Sequence, residues 1–332
     1  MSYAYSIIFV LCLLSTDLNA TEKTDYSAEV KKAQLALTNL DYDTAYNEYL
    51  TVAENSQNPL AQFSIALFHK LGWGRSVDKS KACNWFTKAA NGNIPAAQHY
   101  YADCVRHGIS QKANPALAAK WYEQASQNGH IISLCSLAEL YIDGLGVARD
   151  TQRGLALCQQ AANTGLAQAM LRLAKFHLSN NPKLYNERKA KSYLEQAAQR
   201  KNSQAQYLLG KLYRHGGKHI QRNYYKARQW MEMSAALGFI PAYYQTGLLY
   251  VNAPLDATTK ALPATDLAKA YLWLSATVER SQDNEELANA NELLTKIATI
   301  MPATWHKNLN EKLKDHLQRF PKTEGMTIAT IN

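Results

Sequence analysis

The sequence repeats with a period of 36 residues. Small residues recur at this interval from Ala61 onward, at Ala97, Ser133, Ala169 and Ala205. The fifth position of each copy is large and apolar or aromatic, and the sixth position is small. A fixed period of this size is typical of repeat proteins, in which each unit buries its apolar face only by stacking on its neighbours. The sequence therefore predicts a stacked repeat architecture rather than a single globular bundle.

Within each copy, numbered from its small first residue, the spacing is helical. Positions 1, 5, 6 and 9 fall on one helix face, and positions 22, 25, 26, 29 and 30 fall on another. Between the two helical segments of a copy lie glycines that can end a helix, most clearly Gly72, Gly74, Gly144 and Gly146. A short polar residue that can cap the following helix occupies position 18, as Asp78, Asn114, Asp150 and Asn186. Each copy is therefore predicted to form helix A, a loop and helix B.

Position 25 carries an aromatic or large aliphatic residue, namely Trp85, Trp121, Leu157 and Tyr193. We expect these side chains to belong to the core, where they fill the wedge-shaped space between one hairpin and the next. Aromatic residues at helical spacing could also form a ligand site, but nothing else in the sequence favours that interpretation.

The motifs of a known family occur in two segments, GLGV at 144–147 followed by Asp150, and KACNWFTKAANG at 81–92. These segments resemble Sel1-like repeats, which are relatives of tetratricopeptide repeats. The resemblance implies an all-α fold, an α-solenoid of antiparallel helix hairpins. Copy 4 departs from the pattern at Asn180-Asn181-Pro182, and copy 2 has Ser110 in place of its second glycine. The six predicted copies are 61–96, 97–132, 133–168, 169–204, 205–241 and 242–278, the last with an insertion at 252–265.

The ends of a solenoid need atypical helices that cover its outermost apolar faces. We expect a degenerate capping hairpin at 21–60, two capping helices within 279–320 separated at Pro302, and a flexible tail at 321–332. The first 20 residues resemble a secretory signal peptide cleaved after Ala20, because an apolar run at 7–14 is followed by polar residues and a small residue. The run is too short for a stable membrane span, although an uncleaved N-terminal anchor is an alternative.

Four cysteines remain beyond the leader, and an even number in an exported chain favours disulfides. Two residues on the two helices of an antiparallel hairpin lie opposite each other when the mean of their residue numbers falls in the turn. The mean falls in a turn for Cys83 with Cys104, and for Cys135 with Cys158. The sequence therefore predicts these two disulfides, with four buried free thiols as the alternative.

No motif for a catalytic or cofactor site is present, including phosphate-binding loops, zinc-protease motifs and nucleophile elbows. His215 and His219 are four residues apart, but they flank two glycines in a predicted loop, so we expect neither a metal site nor a cofactor. The chain carries a formal net charge of +9. Despite this charge, the predicted export disfavours nucleic acid as a partner.

Positions 4, 7 and 10 of helix A should face outward on the concave side of the solenoid. Basic residues occupy several of them, and we name this set the basic row: Lys70, Arg106, Arg172, Lys175, Lys211 and Arg214. Asp103 and Glu139 interrupt the row. Such a row would attract an acidic protein segment or an anionic polymer, although ordinary solvated charge is the alternative.

These features predict a periplasmic or secreted scaffold that binds another cell-envelope protein on its concave face. One alternative is a flagellar-motor accessory role, because the closing segment 271–302 resembles the end of the MotX family. Another is a scaffold for exopolysaccharide or peptidoglycan assembly, with an anionic polysaccharide as partner. An enzyme is the least favoured class, and no catalytic residue is predicted.

Overall fold

A computed structural model describes residues 26–321, and this range forms helices joined by turns and loops, with no β-strand. The described chain divides into two compact units, 26–164 and 165–321. The predicted leader at 1–20 and nearly all of the predicted tail lie outside the described residues. No helix between Tyr26 and Pro321 combines the length and apolar character needed to cross a bilayer. The all-α prediction is confirmed.

The first unit consists of a short leading segment followed by three helical hairpins. Its helices are α1 Tyr26–Glu29, α2 Lys31–Thr38, α3 Tyr42–Asn55, α4 Pro59–Leu71, α5 Lys79–Asn91, α6 Pro95–His107, α7 Pro115–Gln127, α8 Ser133–Asp143 and α9 Thr151–Asn163. The hairpins are α4–α5, α6–α7 and α8–α9, and the second helix of each packs on the first helix of the next within the unit.

The second unit also contains three hairpins, followed by two closing helices. Its helices are α10 Ala167–His177, α11 Glu187–Gln199, α12 Ser203–His215, α13 Tyr224–Ala236, α14 Ile240–Val251, α15 Ala264–Arg280, α16 Asn284–Ile300 and α17 Trp305–Arg319. The hairpins α10–α11, α12–α13 and α14–α15 stack in chain order. The described chain is therefore an α-solenoid within each unit, as predicted.

The small residues of the repeat lie where helices approach most closely. Position 1 is fully buried in every copy, including Ser133 and Ala242. Gly154 at position 22 shows why size matters, because an added Cβ would lie 2.7 Å from the backbone carbonyl oxygen of Ala138. A larger side chain would force the two helices of the hairpin apart. The small positions therefore allow helices A and B to pack closely.

A single pattern of hydrogen bonds closes the loop between helices A and B. In five copies the backbone N–H at the cap position donates to a carbonyl in the last turn of helix A, over 2.8–2.9 Å. These bonds are Asp78 to His69, Asn114 to Val105, Asp150 to Tyr141, Asn186 to His177 and Asn223 to Tyr213. The side chains of the same residues accept from the backbone N–H three residues later. Copy 4 keeps this closure although it lacks the glycines, so the cap residue defines the loop.

The most deeply buried large side chains of helix B lie at position 26, one position later than predicted. Residues at position 26 are almost completely buried, as Phe86, Tyr122, Cys158 and Leu194, whereas Trp85 and Trp121 at position 25 are only partly buried. Trp85 packs at the margin of two neighbouring clusters and carries the ammonium group of Lys88 4.0 Å from its ring centroid. Phe86 stacks on Tyr100 of the next hairpin, whereas Tyr122 and Cys158 bond to helix A of their own hairpins, so position 26 is enclosed by both.

The closing helices α16 and α17 lie on either side of Pro302 and do not form another hairpin. Both α16 and α17 pack against α15. His316 of α17 lies with its Nε2 atom 2.9 Å from the hydroxyl of Tyr243, and its ring meets Trp273 edge-on. The last helix therefore covers apolar surface of the final hairpin, as a capping helix should.

The structure joins the cysteines in the two pairs that the sequence predicts. Cys83 on α5 is bonded to Cys104 on α6, with 5.9 Å between their Cα atoms. Cys135 on α8 is bonded to Cys158 on α9, with a Cα separation of 4.3 Å. The first bond links successive hairpins and the second lies within a hairpin. Both bonds join helices that are already packed together.

We predict that Gly146→Ala destabilises the protein far more than Gly129→Ala. Both glycines have positive φ, so both substitutions strain the backbone. A Cβ at Gly146 would collide with the backbone of Pro115 and Ala116 at the start of α7, whereas Gly129 has nothing within 4 Å. Urea unfolding should show that the control Gly129→Ala lowers the free energy of unfolding by about 1 kcal/mol. Gly146→Ala should lower it by several times as much. Equal losses would contradict the close loop contact.

We predict that peptide mapping under non-reducing conditions recovers Cys83 joined to Cys104 and Cys135 joined to Cys158. Each bond closes a loop of about two dozen residues, for which about 3 kcal/mol of stabilisation is expected. Replacing either pair with alanine should lower the free energy of unfolding by about this amount, and reduction of that variant should then remove only the remaining contribution. Crossed pairs or free thiols would contradict the prediction.

Candidate functional site

The basic row lies on the first helices of the hairpins. Lys70 and Arg106 are in the last turns of α4 and α6 in the first unit. The second unit carries Arg172 and Lys175 on α10, and Lys211 and Arg214 on α12. Since the two units are separate compact bodies, the row consists of two parts that we describe separately.

In the first unit, the basic side chains contact the next hairpin. The Lys70 ammonium lies 3.5 Å from the ring centroid of Tyr100 on α6. Arg106 donates to the Glu139 carboxylate on α8 over 2.7 Å, and both side chains are less than one-third exposed. Glu139 therefore neutralises Arg106, so this part of the row is less basic than the sequence suggests.

In the second unit, Lys211 is exposed, while Arg172, Lys175 and Arg214 are half-buried. Arg214 donates a hydrogen bond to the side-chain oxygen of Gln245 on α14. The ammonium of Lys211 lies 5.6 Å from the ring centroid of Tyr207. The last-turn residue Arg214 thus reaches the first helix of the next hairpin, as Arg106 does in the first unit. A binding role for the row remains a prediction.

His215 and His219 lie at the end of α12 and in the following loop, and both are exposed. Across residues 26–321, no group of three or more His, Cys, Asp or Glu side chains is arranged to hold a metal ion.

A buried polar cluster that sequence reasoning missed lies between the second and third hairpins. The Ser133 hydroxyl is 2.9 Å from Nδ1 of His99 and 2.8 Å from Nδ1 of His130. The opposite nitrogen of His99 lies 3.6 Å from the carboxylate of Asp103, to which Tyr122 donates over 2.5 Å. The one signal in the sequence was that Ser133 replaces the alanine found at position 1 of the other copies.

A serine, a histidine and an aspartate in one chain of contacts resemble the arrangement of a hydrolase. Here, however, Ser133 has no exposed surface and His99 is only 7% exposed. A substrate carbonyl cannot reach this hydroxyl without separating two packed hairpins. The hydroxyl has one proton, so it can donate to one ring nitrogen while the other ring donates to it. The cluster therefore acts as a polar joint that holds α6, the turn after α7 and α8 together.

We predict that Ser133→Ala lowers the free energy of unfolding by about 1–3 kcal/mol, because it removes a shared partner from two ring nitrogens in a buried site. Ser126→Ala is the matched control, since the Ser126 hydroxyl bonds only the Glu123 carbonyl of its own helix. The control should change stability by less than about 0.5 kcal/mol. Urea unfolding measures both, and similar values would argue against the joint.

The geometry of the hairpins agrees with a comparison to known families. The family model described as the Sel1 repeat matches five consecutive segments: 59–94, 95–130, 131–166, 167–202 and 203–239. Each match starts two residues before the copy predicted from the sequence, close to the true start of the first helix. The predicted sixth copy at 242–278 lies outside these matches, although α14 and α15 form a hairpin there.

Several solved structures are similar to this chain, and the first of them supports the same fold. A Sel1 repeat protein from Oxalobacter formigenes matches with a TM-score of 0.55 and 23% identity, covering 80% of this chain and 99% of that chain. A putative sel1 repeat protein from Klebsiella pneumoniae subsp. pneumoniae has a TM-score of 0.44 and 23% identity, and the match covers 61% of this chain and 98% of that chain. The immunity protein Pa5087 from Pseudomonas aeruginosa has a TM-score of 0.45 and 20% identity, and the match covers 67% of this chain and 86% of that chain.

No protein of curated function matches the sequence. The Sel1 matches nevertheless cover more than half of the chain, in step with its helix hairpins. The chain therefore belongs to the Sel1 repeat family.

Proposed function

We propose that the protein is an exported, non-enzymatic scaffold that binds another cell-envelope protein through the first helices of its hairpins. Sel1 repeat proteins are generally protein–protein interaction scaffolds. The two cysteine pairs support export, because disulfides persist in oxidising compartments such as the periplasm. The predicted leader, cleaved after Ala20, would direct the chain there.

One observation supports the first helices as the binding face. In both units a basic side chain in the last turn of one first helix contacts the first helix of the next hairpin, as Arg106 contacts Glu139 and Arg214 contacts Gln245. These contacts hold the outward side chains of neighbouring helices in fixed positions. Surfaces that are ordered before binding lose less conformational entropy when a partner docks.

The charge of this face favours an acidic partner in the second unit. Lys211 is exposed, and Lys175 occupies the same repeat position one copy earlier. Electrostatic complementarity of this kind mainly speeds association and selects between partners. The neutralised Arg106 in the first unit makes that part of the row less suited to this role.

The flagellar-motor alternative has less structural support. Trp273 and Leu274, which carry part of the resemblance to MotX, are buried against α14 and the closing helices. Their identity follows from packing in the last hairpin and says little about a binding partner.

We predict that the double variant Lys175→Glu, Lys211→Glu captures about tenfold less partner than the native chain in a crosslinking pull-down from envelope extract. The matched control is Lys112→Glu with Lys307→Glu, which has the same net charge and alters exposed lysines elsewhere. Quantitative mass spectrometry of the captured proteins would measure the difference. Unchanged capture by the row variant, or an equal loss in the control, would reject the row as the binding face.

A further inference from the structure

Most of the chain's excess positive charge lies in one stretch as long as a single repeat. Residues 196–231 contain no Asp or Glu but eight Lys and Arg, whereas the whole chain has a net charge of +9. The basic row includes only two of these eight residues, Lys211 and Arg214. Several of the others lie in or beside the loop between α12 and α13.

A buried carboxylate brings this loop against the preceding one. Glu187, at the start of α11, is only 6% exposed. It accepts hydrogen bonds from the backbone N–H groups of Lys218 and His219, at 3.1 and 2.8 Å, and from the Tyr185 hydroxyl at 2.5 Å. The loop before α11 and the loop before α13 therefore lie side by side in the second unit.

We name the resulting surface the loop edge and define it by eight exposed residues: Lys183, Tyr185, Arg188, Lys189, Lys218, Arg222, Tyr224 and Tyr225. Glu187 is the only acidic residue in the sequence of the two loops and the adjoining first turns. The hydrogen bond from Tyr185, together with those from the two backbone N–H groups, lowers the pKa of Glu187. Its charge is thus held beneath the surface by the backbone and does not pair with the basic side chains.

The five cations of the loop edge have no anionic partner among the described residues. None of them forms an ion pair with a carboxylate within residues 26–321, whereas the nearby Lys191 and Arg228 pair with Glu195 and Asp266, each at 3.1 Å. Like charges crowded on one surface repel one another, and an anionic ligand relieves that repulsion. The loop edge therefore has the electrostatic character of a polyanion site.

The same surface also holds exposed aromatic rings. Tyr185, Tyr224 and Tyr225 are 50%, 61% and 64% exposed, and no other Phe, Tyr or Trp side chain of residues 26–321 is in the exposed class. Leaving such rings in water forgoes the free energy of burying their apolar faces. A flat ring beside a cation can stack on a sugar ring while the cation binds that sugar's carboxylate.

We propose that the loop edge binds an acidic polysaccharide, with the lysines and arginines pairing with its carboxylates and the tyrosines stacking on its sugar rings. Arginine suits this role because its planar guanidinium can bind a carboxylate through two hydrogen bonds. The disulfide pairs favour a polysaccharide over nucleic acid, because they indicate a compartment outside the cytoplasm. The site consists of residues other than the basic row, so each surface can be altered without substituting a residue of the other.

The test measures binding of the full-length oxidised protein to polygalacturonate, with uncharged dextran as the reference polymer. The loop-edge variant carries Lys183→Gln, Lys189→Gln and Lys218→Gln, and the matched control carries Lys112→Gln, Lys120→Gln and Lys307→Gln. The native protein and the control should bind polygalacturonate, and the loop-edge variant should bind at least about tenfold more weakly. Added salt should weaken the binding of the native protein.

A second variant, Tyr224→Ala with Tyr225→Ala, leaves every charge in place and tests stacking. It should also weaken binding to polygalacturonate, while capture of the envelope partner should stay native in both loop-edge variants. The proposal is overturned if the lysine control loses as much affinity as the loop-edge variant, if the tyrosines have no effect, or if dextran binds equally well. Tighter binding to oligothymidylate or to phosphatidylglycerol vesicles at the same ionic strength would also reject a polysaccharide ligand.

Discussion

The stacking of this protein depends on how each loop is closed. A helix leaves its last carbonyls without partners, and here the N–H of the cap residue takes one of them in five copies. The same residue then caps the second helix with its side chain. One short polar residue thus fixes the distance between the end of helix A and the start of helix B. With that distance fixed, the small residues of the two helices face each other and the hairpins can stack closely.

Much of the fold could be predicted because equivalent positions recur at a fixed interval along the sequence. The period located the hairpins, position 18 located the caps, and the mean position of the cysteines gave the same pairs as the structure. The burial of position 26 over position 25 could not be predicted, since both positions lie on one apolar helical face and the repeat pattern does not show which side chain the neighbouring helices enclose. The packing of α16 and α17 on α15 was also inaccessible, because those helices lie beyond the last copy of the repeat.

The candidate site was harder to predict because its charges interact across copies. The sequence places Arg106 in a basic row, but only the structure shows that Glu139 reaches it from the next hairpin. Ser133 was visible as an exception among alanines, yet its two histidine partners come from separate elements. A repeat pattern predicts which positions face outward. It does not specify which side chains from neighbouring copies meet there.

Different positions of the repeat determine the stacking and the surface, so one fold can carry both of the proposed binding surfaces. The cap residue and the small residues determine the stacking, so the remaining loop positions can vary without altering it. In the second unit these free positions have accumulated cations and exposed tyrosines, while Glu187 anchors the loop backbone from below. A carboxylate on the surface would have neutralised part of the positive charge. Placing it beneath the loop orders the backbone and leaves the cations available, an arrangement that structural stability alone does not require.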